Sequence, residues 1–383
     1  MRFIHTADLH LGKQIYGHAL VQDQAYVLDE LADKALSLDV DALLIAGDVF
    51  DRPVPSQEAL RLSEKFLARF VEEKIPVYCI PGNHDGAVRL AHNSALLAFS
   101  GLHIARPFSG SVERYLLDSH GQRACIHLLP FLRPADVKSA LPDEADDIQD
   151  YTDAVRVALS HDELEEGCAN ILLAHQFVVD GDDAPEQCES ETLSVGGMDS
   201  VEAAVFDGYD YVALGHLHGR QQVRRPEVRY SGSPLKYSFS EVNHHKGVQL
   251  VEIGDGVCSV SDVPLEPLHD LREICASYED LQTGIDKGDH EDYLHVTLKD
   301  RSLYDAMKKV RAIYPNVLKL DWEQGFSDGE EETKLTMSDV EQKTPLDLFE
   351  AFFEEQTGSK LEEDEARIAR ELFSEAAEAG ASE

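Results

Sequence analysis

The chain has 383 residues, with 34 Lys+Arg against 73 Asp+Glu and a formal net charge of −39. A chain this acidic has no general electrostatic pull on nucleic acid or anionic lipid. Its 43% hydrophobic residues are nevertheless ordinary for a globular protein, so the charge does not signal disorder.

On a prior of about 150 residues per domain the length suggests roughly two or three domains. Six cysteines carry no C-x-x-C pair, which argues against a disulfide framework or a zinc ribbon. The start, Met-Arg-Phe-Ile-His-Thr-Ala-Asp, lacks a basic region followed by an apolar run. No stretch approaches the ~18 apolar residues of a membrane span. The expectation is a soluble cytoplasmic protein with no membrane association.

Met1–Ala7 reads as a strand. Gln22–Leu38 reads as an amphipathic helix, with Tyr26, Leu28, Leu31, Ala35 and Leu38 near helical spacing. Ala42–Ala46 is a continuous apolar run, the mark of a strand buried on both faces. Ser56–Glu72 is helical again, and Val77–Ile80 is a third buried strand. This β-α-β-α-β order predicts an α/β core. Asp143–Gly167 reads as a further helix. Residues 171–174, 211–214, 228–231 and 247–253 add short strands with little helix between them. A doubly wound parallel sheet fits that part poorly, and a sheet-on-sheet core flanked by helices fits better.

Past about residue 270 the pattern restarts. Tyr293–Leu298, Leu303–Ile313 and Val317–Trp322 predict a small β-α-β unit. After an acidic loop, Ser327–Glu332, Thr344–Glu383 reads as two amphipathic helices separated by Thr357-Gly358-Ser359. Such a hairpin has too little core to stand alone, so its apolar face is expected to dock on something. The expected domains are therefore 1–270, 271–335 and 340–383. Charge is uneven along them: residues 1–135 carry 16 acids against 13 bases, while residues 136–210 carry 21 acids against 2 bases.

Five short motifs follow apolar runs: Asp8-Leu9-His10, Gly47-Asp48-Val49-Phe50-Asp51, Gly82-Asn83-His84-Asp85, Ala174-His175-Gln176 and Gly215-His216-Leu217-His218. Side chains just past a strand's carboxyl end project into the crevice where α/β folds place their sites. Carboxylate, imidazole and amide oxygen together suit Mn²⁺ or a similar octahedral ion better than structural zinc, which favours thiolate. Asp8, His10, Asp48, Asn83, His175, His216 and His218 are too many ligands for one catalytic ion with open positions. They suit two ions if one carboxylate bridges, and Asp48, the central acid, is the candidate bridge. Two ions ~3.5–4 Å apart can grip a phosphate and lower the pKa of a water between them.

His84 is left over beside Asn83. Beside that ligand it could contact the scissile phosphate and either stabilise the transition state or protonate the leaving oxygen. Asp51 and Asp85 read equally as groups orienting a histidine and as plain turn or capping residues. Each motif alone has a bland reading: D-x-H is weak, G-D-x-x-D reads as a turn, G-N-H-D as a hairpin loop and H-x-H as an exposed strand face. Five of them in this order, each at a strand end, are poorly explained by chance.

These motifs resemble those of the calcineurin-like metallophosphoesterases. Longer stretches narrow the resemblance to the SbcD family of nuclease subunits: HTADLHLGK at 5–13, AGDVFDRPVPS at 46–56, PGNHD at 81–85, LPFLRP at 129–134, AHQFVVDG at 174–181, YVALGHLHG at 211–219 and YSGSPLKYSFSE at 230–241. The resemblance implies a four-layer α-β-β-α sandwich, a small β-α-β capping domain that helps bind DNA, and a C-terminal helical hairpin docking on a partner. That partner is an SbcC-type SMC-like ATPase. One ion would be held by Asp8, His10, Asp48 and His218. The other would be held by Asp48, Asn83, His175 and His216, with His84 on the scissile phosphate.

The implied activity is Mn²⁺-dependent, ATP-regulated exonuclease action on double-stranded DNA ends, with endonuclease action on single strands and hairpins. A homodimer, and a heterotetramer with the ATPase, are family-level expectations. The chain has no G-x-x-x-x-G-K-[ST] loop, so ATP hydrolysis falls to the partner. Candidate phosphate contacts are Lys13, Arg52, Arg89, Arg106 and Arg133 near the motif loops, and Lys308, Lys309 and Arg311 in the capping unit. Each taken singly reads more readily as a solvated surface charge. The competing readings are a phosphatase or cyclic-nucleotide phosphodiesterase of the same superfamily, and a scaffold that has lost its metals. The intact ligand set counts against the scaffold.

Overall fold

The computed structural model describes residues 1–181, 183–191, 199–254, 256–284, 286–300 and 302–323, with scattered positions between 346 and 373. The chain divides into two units, Met1–Leu271 and Arg272–Glu383. Most of the expected C-terminal hairpin and its preceding acidic loop lie outside the described residues. Within that region residues 365–370 are helical.

The first unit opens with Arg2–Thr6 (β1), Val21–Ser37 (α1), Ala42–Ala46 (β2), Gln57–Glu72 (α2), Val77–Ile80 (β3) and Leu102–Ile104 (β4). Glu113–Ser119 (β5), Gln122–Leu128 (β6), Pro134–Ala140 (α3), Tyr151–Ser160 (α4), Ala169–His175 (β7), Tyr211–Gly215 (β8), Gln221–Val223 (β9) and Arg225–Tyr230 (β10) follow. Gly247–Gly254 (β11) and Val257–Pro264 (β12) close the unit. Two six-stranded sheets result, in the orders β12-β11-β1-β2-β3-β4 and β9-β10-β8-β7-β6-β5. Strands β1 to β4 are parallel, with β11 antiparallel to β1. In the second sheet β6, β7, β8 and β10 are parallel.

The period-2 alternation of strands explains the layering. Ala42, Leu44, Tyr78 and Ile80 of the first sheet meet Ile126, Leu128, Ile171, Leu173, Tyr211 and Ala213 of the second in one buried cluster. On the first sheet's other face Ile45 and Cys79 share a small cavity with Phe66 and Leu67 of α2. The outer face of the second sheet, with Leu172, Ala174, Val212 and Leu214, packs on Val137 of α3 and on Ala154, Val155 and Ala158 of α4. The order is α-β-β-α. Helix α2 begins where Ser56 accepts from the Ala59 amide, a side-chain N-cap.

Several details depart from the sequence reading, which has no β4, β9, β12 or α3. The helix expected over 143–167 is two pieces, a 3₁₀ turn Pro142–Asp147 and then α4. Asp150 is extended between them and caps α4 by accepting from the Asp153 amide, a geometry that interrupts a helix. The hairpin β5–β6 has no counterpart in the sequence reading. Its two-residue turn, His120-Gly121, has φ of 51° and 75°, the double left-handed pattern of tight hairpins.

The second unit holds a three-stranded sheet of Leu271–Ala276 (β13), Tyr293–Leu298 (β14) and Val317–Trp322 (β15), with β14 and β15 parallel. Two short helices, Tyr278–Gln282 (α5) and Ala306–Arg311 (α6), accompany it. Ile274, Leu294, Val296, Leu298, Val310 and Tyr314 form its core. The β-α-β pattern is therefore present, with β13 and α5 added and the helix shorter than expected.

One buried ion pair ties the second sheet together away from the motifs. His127 Nδ1 lies 2.7 Å from Asp162 Oδ2, and its Nε2 lies 3.0 Å from Asn170 Oδ1. The Tyr209 hydroxyl donates to the same Asp162 oxygen at 2.7 Å. Burial acts to lower the His127 pKa, but the Asp162 carboxylate outweighs it and raises the value to about 9. A folded pKa above the unfolded one contributes stability below the unfolded value and loses it as pH rises through the folded one. The unfolding free energy should therefore fall between pH ~6.5 and 9, by on the order of 1–3 kcal/mol. Chemical denaturation of His127→Gln should lack that component of the pH dependence; parallel profiles for the two proteins would contradict it.

Candidate metal centre

The motif residues leave their strands in left-handed backbone. Asp8, His10, Asp48 and His216 have φ of 53°, 43°, 50° and 103°. Such non-glycine positions cost on the order of 1–3 kcal/mol each and persist only where surrounding contacts hold them. Asp and His are among the types that tolerate them best. Here the loops hold one another: Asp8 N donates to Gly47 O at 3.0 Å, His10 N to Asp48 O at 2.9 Å and Leu11 N to Val49 O at 2.9 Å. The motif glycines admit close approach. A Cβ on Gly82 would strike the Asp48 carboxylate, and one on Gly215 the Ala46 carbonyl.

All seven candidate ligands converge. Asp8, His10 and His218 offer ligand atoms within 4.8 Å of one another, as do Asp8, Asp48 and His175, and His10, Asp48 and His84. His10 Nε2 lies 3.2 Å from His218 Nε2 and 3.7 Å from Asp48 Oδ2. His175 Nε2 lies 3.4 Å from the same Asp48 oxygen and 2.9 Å from Asn83 Oδ1. His216 Nδ1 is 3.0 Å from Asn83 Oδ1. Asp48 Oδ2 thus faces both halves of the cluster.

The protonation pattern suits cations. His175 Nδ1 donates to Ala46 O at 2.8 Å, and its Nε2 faces only the acceptors Asp48 Oδ2 and Asn83 Oδ1; burial lowers its pKa, but the Asp48 carboxylate outweighs it and raises the value to about 9, so a proton sits at Nε2 where a cation would replace it. Burial keeps His10 and His216 neutral, the latter with a pKa lowered to about 3. Burial raises the Asp8 carboxyl to about 7, although His216 N donates to both its oxygens, at 3.0 and 3.1 Å. Asp48 is held well below the usual range, because His175 overcomes its burial. Among the described residues, no lysine or arginine forms an ion pair with Asp8 or Asp48. Buried carboxylates among lone pairs, with no thiolate, fit hard or borderline divalent ions.

His84 stands at the rim, half-buried. Its amide donates to Asp48 Oδ1 at 2.9 Å, its Nδ1 is 3.1 Å from Asp51 O, and its ring packs edge-on against His10 at 4.8 Å. The Asp51 carboxylate pairs with Lys13 at 2.8 Å. Asp85 is a loop organiser: its carboxylate accepts from the amides of Val49, Phe50 and Gly82 at 3.1, 2.9 and 3.0 Å.

The basic candidates are less free than the sequence suggests. Lys13 is committed to Asp51, and Arg52 lies 3.6 Å from the same carboxylate. Arg106 is bound to Glu113 at 2.9 Å. Arg89 is exposed on the turn Ala87–Leu90. In the second unit Lys308 is 3.8 Å from Asp305, Lys309 sits 6.0 Å from the Tyr278 ring, and Arg311 donates twice to Val317 O.

Two clefts flank the cluster. One of ≈ 580 Å³ runs from Asn83 past Phe131, Arg133 and Phe108. The other, ≈ 760 Å³, runs from His218 past Arg220, His244 and the acids Asp180, Asp183 and Glu186.

Several supporting residues were missed in the sequence. Gln24 donates to His10 O at 2.8 Å, and the Tyr237 hydroxyl to Leu9 O at 2.5 Å. Glu191 accepts the His218 amide at 2.6 Å, and Lys246 donates to His218 O at 2.9 Å. Gln24 alone left a trace, as a polar residue on the buried side of α1.

A family model of the calcineurin-like phosphoesterases matches residues 1–220. A second, described as the C-terminal domain of a type 5 capsule protein repressor (SbcD_C), matches residues 267–357. Among solved structures, similarity extends to TT1561 of Thermus thermophilus, at 11% identity over 68% of this chain and 98% of that one, with a TM-score of 0.37. A dimetal phosphatase from Danio rerio gives 12% identity over 70% and 98%, with 0.40. The phosphopantetheinyl hydrolase PptH from Mycobacterium tuberculosis gives 15% over 62% and 90%, with 0.35. Among the described residues no helix is long and apolar enough to cross a membrane. The first family match spans more than half of the chain and contains all five motifs, so the chain belongs to the calcineurin-like phosphoesterases, a family of metal-dependent hydrolases.

Proposed function

We propose that this chain is a two-metal DNA nuclease subunit of the SbcD type, cutting duplex ends as an exonuclease and single strands and hairpins as an endonuclease. The observation that carries the reading is the convergence of the seven candidate ligand side chains, with Asp48 Oδ2 facing His10 and His175, and with His84 beside His10 and Asp48 at the rim. The second family match, at 267–357, supports the nuclease branch over a small-molecule phosphatase. So does the cleft beside Asn83. Phe131 offers an aromatic face and Arg133, 5.6 Å from its ring centre, a guanidinium, the pairing that receives a base and a phosphate of a single strand.

Asp8, His10, Asp48 and His218 would hold one divalent ion, and Asp48, Asn83, His175 and His216 the other. Together such ions, Mn²⁺ in this reading, neutralise phosphate charge and acidify water. The chain's own part is orientation. Asp85 fixes the loops that carry Asp48 and Asn83. Ala46 O fixes the His175 tautomer. His84, oriented by Asp51 O, supplies a hydrogen bond to a phosphoryl oxygen, or a proton to the leaving oxygen, without being a ligand.

The reading extends to a homodimer joined to an SbcC-type SMC-like ATPase in a heterotetramer. Exposed Val88, Leu96 and Phe99, at 78%, 68% and 91% exposure, support self-association through one segment.

Asp48→Asn should lose both ions and fall by at least about 10³-fold in Mn²⁺-dependent cleavage of linear duplex DNA. Full nuclease activity in that variant would end the two-ion reading. His84→Ala should bind both ions in a Mn²⁺ titration yet lose about 10²–10⁴-fold in rate. Collapse of metal binding would instead make His84 a ligand or its support. Removing residues 340–383 should abolish co-purification with the ATPase and spare Mn²⁺-dependent endonuclease activity. Undiminished co-purification would place the docking surface elsewhere. Rapid turnover of small phosphodiesters with no cleavage of DNA would favour the phosphodiesterase alternative.

A further inference from the structure

Behind His218 lies a buried acid that no motif announces. Glu241 sits at the end of a single turn, Phe239–Glu241, and is fully buried. Its Oε2 accepts from the Lys246 ammonium at 2.6 Å. Its Oε1 accepts from the Tyr237 amide at 3.2 Å and from the Ser190 hydroxyl at 2.5 Å, and faces His218 Nδ1 at 3.2 Å. Ser190 Oγ is itself 2.8 Å from that Nδ1. Lys246 is held by two further acceptors, His218 O at 2.9 Å and Ser233 Oγ at 2.8 Å. Ring and backbone of one histidine are thus gripped by the same small network.

Counting protons fixes the tautomer. An ammonium at 2.6 Å keeps Glu241 a carboxylate, which only accepts. The Ser190 proton therefore points to Glu241 and not to His218. Nδ1 must then carry its own proton, shared between Ser190 Oγ and Glu241 Oε1. Nε2 is left bare, and Nε2 is the atom that faces His10 Nε2 at 3.2 Å within the cluster of Asp8, His10 and His218. His175 Nδ1 is fixed differently, by donating to the backbone carbonyl of Ala46. One half of the centre is oriented by a neutral carbonyl and the other by a buried carboxylate.

We infer that Glu241, with Ser190 and Lys246, is a positioning residue for the ion that His218 binds. It holds the imidazole with Nδ1 protonated and makes Nε2 a stronger donor to the metal. This rests on the two-ion reading above. A carboxylate behind a metal-bound imidazole is typically worth about 10–100-fold in affinity. The loss on its removal should fall on one ion of the pair.

The test uses the full-length chain and Mn²⁺ alone, titrated calorimetrically and followed by electron paramagnetic resonance. The wild-type chain should take two ions. Glu241→Gln should weaken one of them by about 10–100-fold and leave the other within about threefold. Ser190→Ala should weaken the same ion by a smaller factor. Independently, ¹⁵N spectra of the histidine-labelled chain without added metal should show His218 protonated on Nδ1, assigned by the signal's loss in His218→Gln. A proton on Nε2, equal losses at both ions, or two unchanged affinities would overturn the inference. If the wild-type chain takes up no Mn²⁺, the two-ion reading falls with it. If it takes two and Glu241→Gln binds both as tightly, only the positioning role falls. Should Glu241→Gln fail to fold, Ser190→Ala and the tautomer spectrum decide.

Discussion

Two carboxylates, Asp8 and Asp48, are buried at the seam where two sheets meet, and much of the surrounding structure exists to make that tolerable. An unpaired buried charge is among the most costly things a fold can contain. The response here is layered. Backbone amides of His216 and His84 turn toward the two acids. Imidazoles surround them, and the left-handed loops that aim all these groups are zipped to each other by main-chain bonds. The strain at Asp8, His10, Asp48 and His216 follows from pointing donors and acceptors at one small volume. A protein with no use for concentrated negative charge would have little reason to keep it.

Much of this was legible from the chain. The strands Ala42–Ala46 and Val77–Ile80 stand where their unbroken apolar runs put them, because a strand covered on both faces has no polar alternation to disguise it. The clustering of the candidate ligands was legible because each follows such a run, so the strand end gave away the side chain's direction. What stayed hidden has a common cause. Glu241 meets Ser190 from 51 positions away and His218 from 23, and no local spacing records such a meeting. Asp150 stays hidden for the opposite reason: its capping role is local, but it sits among so many acids that its interruption of the helix is masked.

The acid excess also changes meaning when it is placed. Part of the strongly acidic segment 136–210 belongs to α3 and α4, which cover the outer face of the second sheet. Another part is not peripheral. Asp180, Asp183 and Glu186 line the cleft beside His218, and Glu191 grips the His218 amide. The two clefts differ in what they present: the one beside His218 sets Asp180, Asp183, Glu186 and Asp262 against Arg220, Arg224 and Lys246, while the one beside Asn83 carries Arg133 next to an aromatic ring, with Asp85 and Asp136.

The hydrogen bond from His216 to Asp8 joins residues 208 positions apart, and β1 takes its antiparallel neighbour from residues 249–252. A topology so dominated by distant partners folds slowly, because loop closure must precede the contacts that reward it. On the ribosome, the first sheet cannot be completed beside β1 until β11 has emerged, long after Asp8 and Asp48 have been synthesised. His216 and His218, which face Asp8, likewise come only after more than 200 residues of chain. The site is thus a late product of folding, and any ion that binds only the finished site would pull the equilibrium toward the native chain by mass action.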